Sequence, residues 1–330
     1  MYQKLTNANV LVTGGAGFIG SNLCVSFLES GNKVVCLDNF STGNIDNISA
    51  LLKYKNFTLI EGDIRDISTC KSALKKIDYV FHQAALGSVP RSINDPLTTN
   101  EVNITGFLNM LQAAKDEKIK RFIYAASSST YGDSTSLPKK EDIIGKPLSP
   151  YAVTKYVNEI YAHVYALTYN IECIGLRYFN VFGPNQSPDG AYAAVIPKFI
   201  NLLLNGEAPV INGNGKNSRD FTFIENIIQM NHLAATTTNQ NAIGQVFNTA
   251  YGAQTSLIEL VDIIAESLCK YFPEVSLIQP IFGPIREGDI PHSKACIQKA
   301  KEMLNYSPQV DLSEGMNLTI QSFLKKMKIF

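Results

Sequence analysis

Net charge is what this chain has least of: Lys plus Arg and Asp plus Glu balance at 29 each over 330 residues, and no basic block interrupts the balance. Broad electrostatic attraction to nucleic acid or to an anionic membrane is thereby excluded, and an anionic ligand has to be held by local groups. No continuous apolar run is long enough to span a bilayer, and no basic and apolar leader precedes the first apolar stretch, so a soluble, cytoplasmic protein is expected. The six cysteines contain no CxxC pair, which argues against a zinc site or a disulfide framework and for a reducing compartment. The four histidines have no ligand spacing either, so no metal is expected, and His82 at a strand end reads as a packing residue. Internal repeats and low-complexity segments are absent.

What is present is an alternation of short apolar runs and longer helical patterns, as a parallel sheet covered on both faces requires. Strands are expected at residues 10–12, 33–38, 57–61, 79–81, 121–126 and 173–178, with helices at 18–30, 68–77, 97–117 and 151–169. This reads as an α/β, Rossmann-type doubly wound parallel sheet over residues 1–178, with a returning segment around 222–248. After Arg177 the chain becomes rich in Gly, Pro and Asn, and helices at 195–204, 225–237, 256–268 and 313–326 are separated only by short strands. Residues 179–330 are therefore expected to form mainly a smaller mixed α/β domain that binds substrate.

The glycine-rich turn Thr13-Gly14-Gly15-Ala16-Gly17-Phe18-Ile19-Gly20 lies between the first strand and the first helix. Gly14, Gly17 and Gly20 allow a tight turn and close approach to a pyrophosphate, and the helix N-terminus at Phe18 and Ile19 faces that anion. Asp38, at the end of the next strand, can accept hydrogen bonds from an adenosine ribose and would repel a phosphate there, so NAD is expected rather than NADP. Asp63 and Ile64, after the third strand, are candidates for the adenine edge. A second stretch, Ser149-Pro150-Tyr151-Ala152-Val153-Thr154-Lys155, opens a helix with an N-cap serine and a proline at the first position. It places a phenol and an ammonium on one face, one turn apart. Bringing a tyrosine from its ordinary value near 10 to about 7 takes roughly 4 kcal/mol, which Lys155 and the helix end are expected largely to supply, with a bound cationic ring adding the rest.

In this order, TGGAGFIG, DNFSTG, GDIRD, HQAA, ASSSTYG, YAVTK, LRYFNVFGP and REGD resemble the extended branch of the short-chain dehydrogenase/reductase superfamily, within it the nucleotide-sugar epimerases and dehydratases. The resemblance runs over nearly the whole chain and implies Ser127, Tyr151 and Lys155 as catalytic residues. It also implies that Asn39, Ala84, Tyr151 and Lys155 join the glycines, Phe18, Ile19, Asp38, Asp63 and Ile64 around NAD. Tyr151 would take the proton from the sugar 4-hydroxyl while hydride leaves carbon 4, with Ser127 bonded to that oxygen. Family dehydratases carry an Asp-Glu pair after the active-site Thr; Ser128 and Ser129 stand there instead, so epimerisation is implied.

For the UDP-sugar the resemblance points to Arg219, Arg286 and Asp289 as nucleotide contacts and to Asn180 as a phosphate contact. Four residues after Asp289, where family galactose epimerases restricted to unacetylated sugars have a tyrosine, stands Ser293. A small side chain there leaves room for a 2-acetamido group. Segments 87–92 and 190–195 resemble bacterial UDP-N-acetylglucosamine 4-epimerases of surface polysaccharide synthesis, which places Ser88, Arg91 and Ser129 beside the sugar. Pro291 departs from the arginine usual in those proteins. Because Arg91 could also face a carboxylate, UDP-glucuronate remains an alternative, as does UDP-glucose, and a non-enzymatic NAD sensor is a further one. Apolar residues on two helices, Phe107, Leu108, Leu111, Tyr161, Val164 and Tyr165, predict a homodimer through a four-helix bundle, as in the family.

Overall fold

Strand order determines where a ligand can sit in this molecule. The computed structural model describes residues 2–188, 193–284 and 292–327. Its main sheet begins with β1 (Asn9–Thr13), β2 (Lys33–Asp38), β3 (Phe57–Glu61), β4 (Tyr79–His82), β5 (Arg121–Ser127) and β6 (Cys173–Tyr178). Four short strands follow, β7 (Val181–Phe182), β8 (Val210–Asn212), β9 (Ser218–Arg219) and β10 (Thr222–Phe223). The chain then returns to the main sheet as β11 (Val246–Thr249), which lies parallel to β6 with Val246 opposite Gly175. Among the described residues the sheet has seven strands in the order β11-β6-β5-β4-β1-β2-β3, and every pair is parallel.

All residues of β5 and β6 are buried, the signature of strands covered on both faces. On one face lie α1 (Phe18–Glu29) and, from later in the chain, a helix over Ile224–Thr236, contributing Leu23, Phe27, Ile227 and Met230. On the other lie α2 (Ile67–Ala73) and, beyond α3 (Val89–Asn94) and α4 (Pro96–Asn100), α5 (Phe107–Asp116) and α6 (Pro150–Tyr169). The order reverses between β1 and β4, so the crevice beyond their carboxyl ends is the natural ligand site.

Beyond β6 the remaining helices are α7 (Val195–Leu204), α8 (Ile224–Thr236), α9 (Leu257–Cys269), α10 (Gln298–Leu304) and α11 (Leu312–Lys326). Three further short strands, β12 (Thr255–Ser256), β13 (Ile281–Gly283) and β14 (His292–Ser293), pair within this half. In it β9 is flanked by β12, antiparallel, and β14, parallel, while β8 pairs with β13. Helix α9 starts at a capping box, Ser256 with Glu259.

Three expectations change. The helix expected over 68–77 spans only Ile67–Ala73, and Lys76 beyond it has a positive φ of 63°. The helix expected over 97–117 is divided by a π-turn at Glu101–Gly106. Asn103 explains that turn: its buried side chain accepts from Leu86 N at 2.7 Å and donates to Thr154 Oγ1 at 3.1 Å, tying the bulge to the start of α6. Finally, Phe107 and Leu111 are fully buried in the protein's own core, so they contribute no surplus apolar surface.

Candidate active site

The crevice past β1 and β4 is a cleft of about 570 Å³ whose lining includes Gly14, Gly17, Phe18, Ile19 and Gly20. Gly14 follows β1 with φ +66°, and a Cβ on it would stand 2.8 Å from the backbone of Ala84, which follows β4. A Cβ on Gly20 would meet Gly14 O at 2.1 Å. Only glycine lets these backbones close into a cradle of amides at the N-terminus of α1. Asp38, Asn39, Asp63, Ile64 and Ala84 line the same cleft. The buried Asp38 carboxylate accepts from Ala16 N at 2.9 Å and Phe40 N at 2.8 Å, which fixes its direction at the end of β2. Asn39 donates to Asp63 at 2.9 Å, and hydrogen bonds from Arg65 hold the Asp63 carboxyl down at about 2. A cradle closed to any Cβ and an anchored carboxylate beyond the second strand fit an adenine dinucleotide with a free ribose.

At the opposite end of the cleft the Ser149 hydroxyl caps α6 by accepting from Ala152 N at 3.2 Å. The first turn of that helix brings Tyr151 into the cleft and the second brings Lys155. Lys155 Nζ donates to Ala125 O at 2.9 Å, on the strand that ends at Ser127. The Ser127 oxygen accepts from Ser129 N at 3.1 Å and from the Ser129 hydroxyl at 2.8 Å. With those acceptor positions taken, the Ser127 hydrogen is available to the Tyr151 oxygen, and the bond between the two lowers the Tyr151 pKa.

Electrostatics correct one expectation. Burial pushes the Tyr151 phenol up from its ordinary value, against the downward effect of the Ser127 bond, so the downward shift expected from Lys155 and the helix end is not seen. Burial also brings Lys155 down to about 8, against the opposing pull of Glu159. His82, edge-on to Phe107, stacked on Phe122 and bonded to Thr13 Oγ1 at 3.0 Å, is pushed down to about 3 by burial and is neutral packing at neutral pH.

The expected substrate residues are less concentrated. Ser88, with φ +98°, and Asn180 line both the main cleft and an adjoining cavity of about 500 Å³. Ser129 reaches the site through Ser127. Arg91 borders a different neighbouring cavity, with Phe40 and Asn185, and does not line the cleft of Tyr151. Arg219 and Ser293 are cross-strand partners in β9 and β14, outside the lining of that cleft. Arg286, Asp289, Pro291 and residues 190–192 lie outside the described residues. Lys198 and Phe221 also line the adjoining cavity, and only the fold brings them beside Asn180.

The model of the NAD dependent epimerase/dehydratase family matches residues 10–250. The chain belongs to that family. Its similarities extend over almost its full length. The UDP-glucose 4-epimerase of Mycolicibacterium smegmatis is 35% identical over 318 residues, covering 96% of this chain and 98% of that one. A solved UDP-N-acetylglucosamine 4-epimerase from Methanobrevibacter ruminantium M1, in complex with UDP-N-acetylmuramic acid, has a TM-score of 0.90 at 38% identity, covering 98% of this chain and 100% of that one. A UDP-glucuronic acid 4-epimerase from Bacillus cereus, solved with UDP-glucuronic acid and NAD, has a TM-score of 0.85 at 33% identity, covering 97% and 99%. This family member is an NAD-dependent isomerase of the nucleotide-sugar 4-epimerase type, on a Rossmann-type fold. No helix among its described residues is long and apolar enough to cross a membrane.

Proposed function

We propose that the enzyme interconverts UDP-N-acetylglucosamine and UDP-N-acetylgalactosamine. Bound NAD supplies the acceptor and donor of the hydride at sugar carbon 4. Tyr151 takes the 4-hydroxyl proton and returns it after the sugar has presented its other face. Ser127, its oxygen held by both Ser129 donors, offers its hydrogen to the reacting oxygen. Lys155, one turn along the same helix and anchored on Ala125 O, would carry the positive charge nearest the phenol along α6, and a bound NAD would add that of its cationic ring. Ser128 and Ser129 offer neither the acid nor the base that elimination of water from the keto sugar requires, so reduction at carbon 4 is the outcome left to it.

The choice of sugar rests on one observation above all: Ser293, a small side chain, is the partner of Arg219 in the β9–β14 register. With Arg219 on the nucleotide, that position leaves space beside carbon 2 for an acetamido group. Asn180 would contact the diphosphate, and Arg286 and Asp289 complete the nucleotide site on the strength of their sequence motif. UDP-glucuronate is the second reading, favoured by the likeness to the B. cereus enzyme. A Ser293→Tyr variant is expected to lose turnover of acetylated sugars while keeping UDP-glucose activity; unchanged turnover of UDP-N-acetylglucosamine contradicts the assignment.

A homodimer belongs to the same reading. Val153, Ile160, Val164 and Leu167 lie along one face of α6 at 46%, 47%, 45% and 70% exposure. Leu97 of α4, a helix packed against α6, adds 77%. A stripe of this spacing on a long helix is what a second helix pair buries. A cytoplasmic setting, as a supplier of activated sugar for surface polysaccharide, agrees with this assignment.

A further inference from the structure

Asp220 sits between Arg219 and Phe221, and its residue is fully buried. Its carboxylate does not face the cleft. It accepts from Gly252 N at 3.2 and 3.1 Å and from Ala295 N at 3.2 Å, and the amide of Tyr251 also bonds to it. Its own backbone carbonyl accepts from Asn180 Nδ2 at 3.1 Å. One residue thus joins four stretches: β9, the loop after β11, the chain leaving β14, and the turn after β6 that carries Asn180. Three of these hold residues assigned above to substrate, namely Arg219, Ser293 and Asn180.

Placing a carboxylate in such a site is strongly unfavourable unless hydrogen bonds replace the lost water. A hydrophobic residue would avoid that cost if filling space were the only task. Backbone amides from two separate loops, in contrast, can be collected by a carboxylate and not by an apolar group, because it accepts at both oxygens. The charge of Lys294 also favours the ionised carboxyl, and the carboxylate in turn helps to keep the buried Tyr306 phenol neutral, but neither group replaces the amides as a partner.

We propose that Asp220 is a positioning residue for the nucleotide half of the substrate site: its carboxylate fastens the β14 exit and the 251–252 loop to β9 and so holds Ser293 and Arg219 in one mutual arrangement, to which its backbone carbonyl ties Asn180. The inference rests on the assignment of those three residues to a UDP-sugar, but not on which sugar it is. The glycine cradle and Asp38, which would hold the adenosine half of NAD, belong to β1, α1 and β2 and make no hydrogen bond with Asp220 among those described.

The test is the affinity of the full-length protein for UDP, by titration calorimetry at pH 8, above the value of about 7 to which burial lifts this carboxyl. Asp220→Asn keeps the shape but turns an amide donor toward backbone donors. It is expected to weaken UDP binding by about tenfold or more, with NAD content unchanged, and to raise KM for the sugar nucleotide while kcat stays within about threefold. Equal UDP affinity in the variant and the wild type overturns the proposal, as does loss of kcat at unaltered KM. A wild type that binds no UDP overturns the nucleotide assignment and this role with it, an outcome distinct from equal binding by both. Should the variant not fold, hydrogen exchange of the wild type decides: the Gly252 and Ala295 amides are expected among the slowly exchanging set, and fast exchange at both contradicts the fastening role.

Discussion

Glu159 and Arg177 form a two-point ion pair, Nε to Oε1 at 2.9 Å and Nη2 to Oε2 at 2.7 Å, with side chains only 6% and 4% exposed. Glu159 lies one turn beyond Lys155 on α6, and Arg177 lies in β6 with its guanidinium 4.8 Å from the centroid of the Tyr131 ring. The pair pins the helix that carries Tyr151 and Lys155 to the sheet. Glu159→Gln leaves the guanidinium buried without its counter-charge, and a loss of about 3–5 kcal/mol in urea unfolding is expected. A Glu159→Leu/Arg177→Met double variant is expected to lose less than either single one. Additive losses argue that the pair is not a unit.

The charge on Lys155 sets an alkaline limit. Burial lowers its pKa to about 8, so the ammonium is held below that pH and is lost as pH rises through it. Turnover is therefore expected to fall above about pH 8, and the residual activity of Lys155→Met is expected to lack that decline. A kcat profile that is flat from pH 7 to 10 in the wild type contradicts the role given to the ammonium.

Gly14→Ala tests the cofactor cradle. The new methyl group meets the Ala84 backbone at 2.8 Å, on a residue with φ +66°. Both effects act against close packing of the turn, and NAD affinity measured by calorimetry is expected to fall at least about tenfold. A fully loaded variant contradicts the cradle.

Leu167→Glu tests the exposed stripe of α6. A charge at a site that is 70% open in the single chain is expected to leave the fold intact and to shift sedimentation from dimer to monomer at micromolar protein. A wild type that sediments only as monomer removes the homodimer.

The parts of this site legible in the sequence are those whose chemistry is set by neighbours along the chain. Gly14, Gly17, Gly20 and Asp38 follow one strand–turn–helix–strand unit, and Tyr151 and Lys155 follow one helix, so spacing alone brings each set together. The parts not legible depend on partners far apart in sequence. Asp220 meets Ala295 across 75 positions, and Asn103 meets Thr154 across 51, so neither the fastening carboxylate nor the π-turn has a local signature. The apolar residues Phe107 and Leu111 look the same in sequence whether they face the sheet or a second subunit, and only the packing of α5 on β5 separates the cases. The helix position of Tyr151 is legible in the sequence, whereas the upward push of burial on its phenol is not, because burial is a property of the whole fold.

The most direct test of the account is product analysis by proton NMR. The purified wild-type protein and its Tyr151→Phe variant are incubated separately with UDP-N-acetylglucosamine, UDP-glucose and UDP-glucuronate, with NAD supplied. UDP-N-acetylgalactosamine is expected to appear fastest, with the variant slower by a factor of about 10² to 10⁴. Turnover of UDP-glucose or UDP-glucuronate without any of the acetylated sugar, or a Tyr151→Phe variant as fast as the wild type, contradicts it.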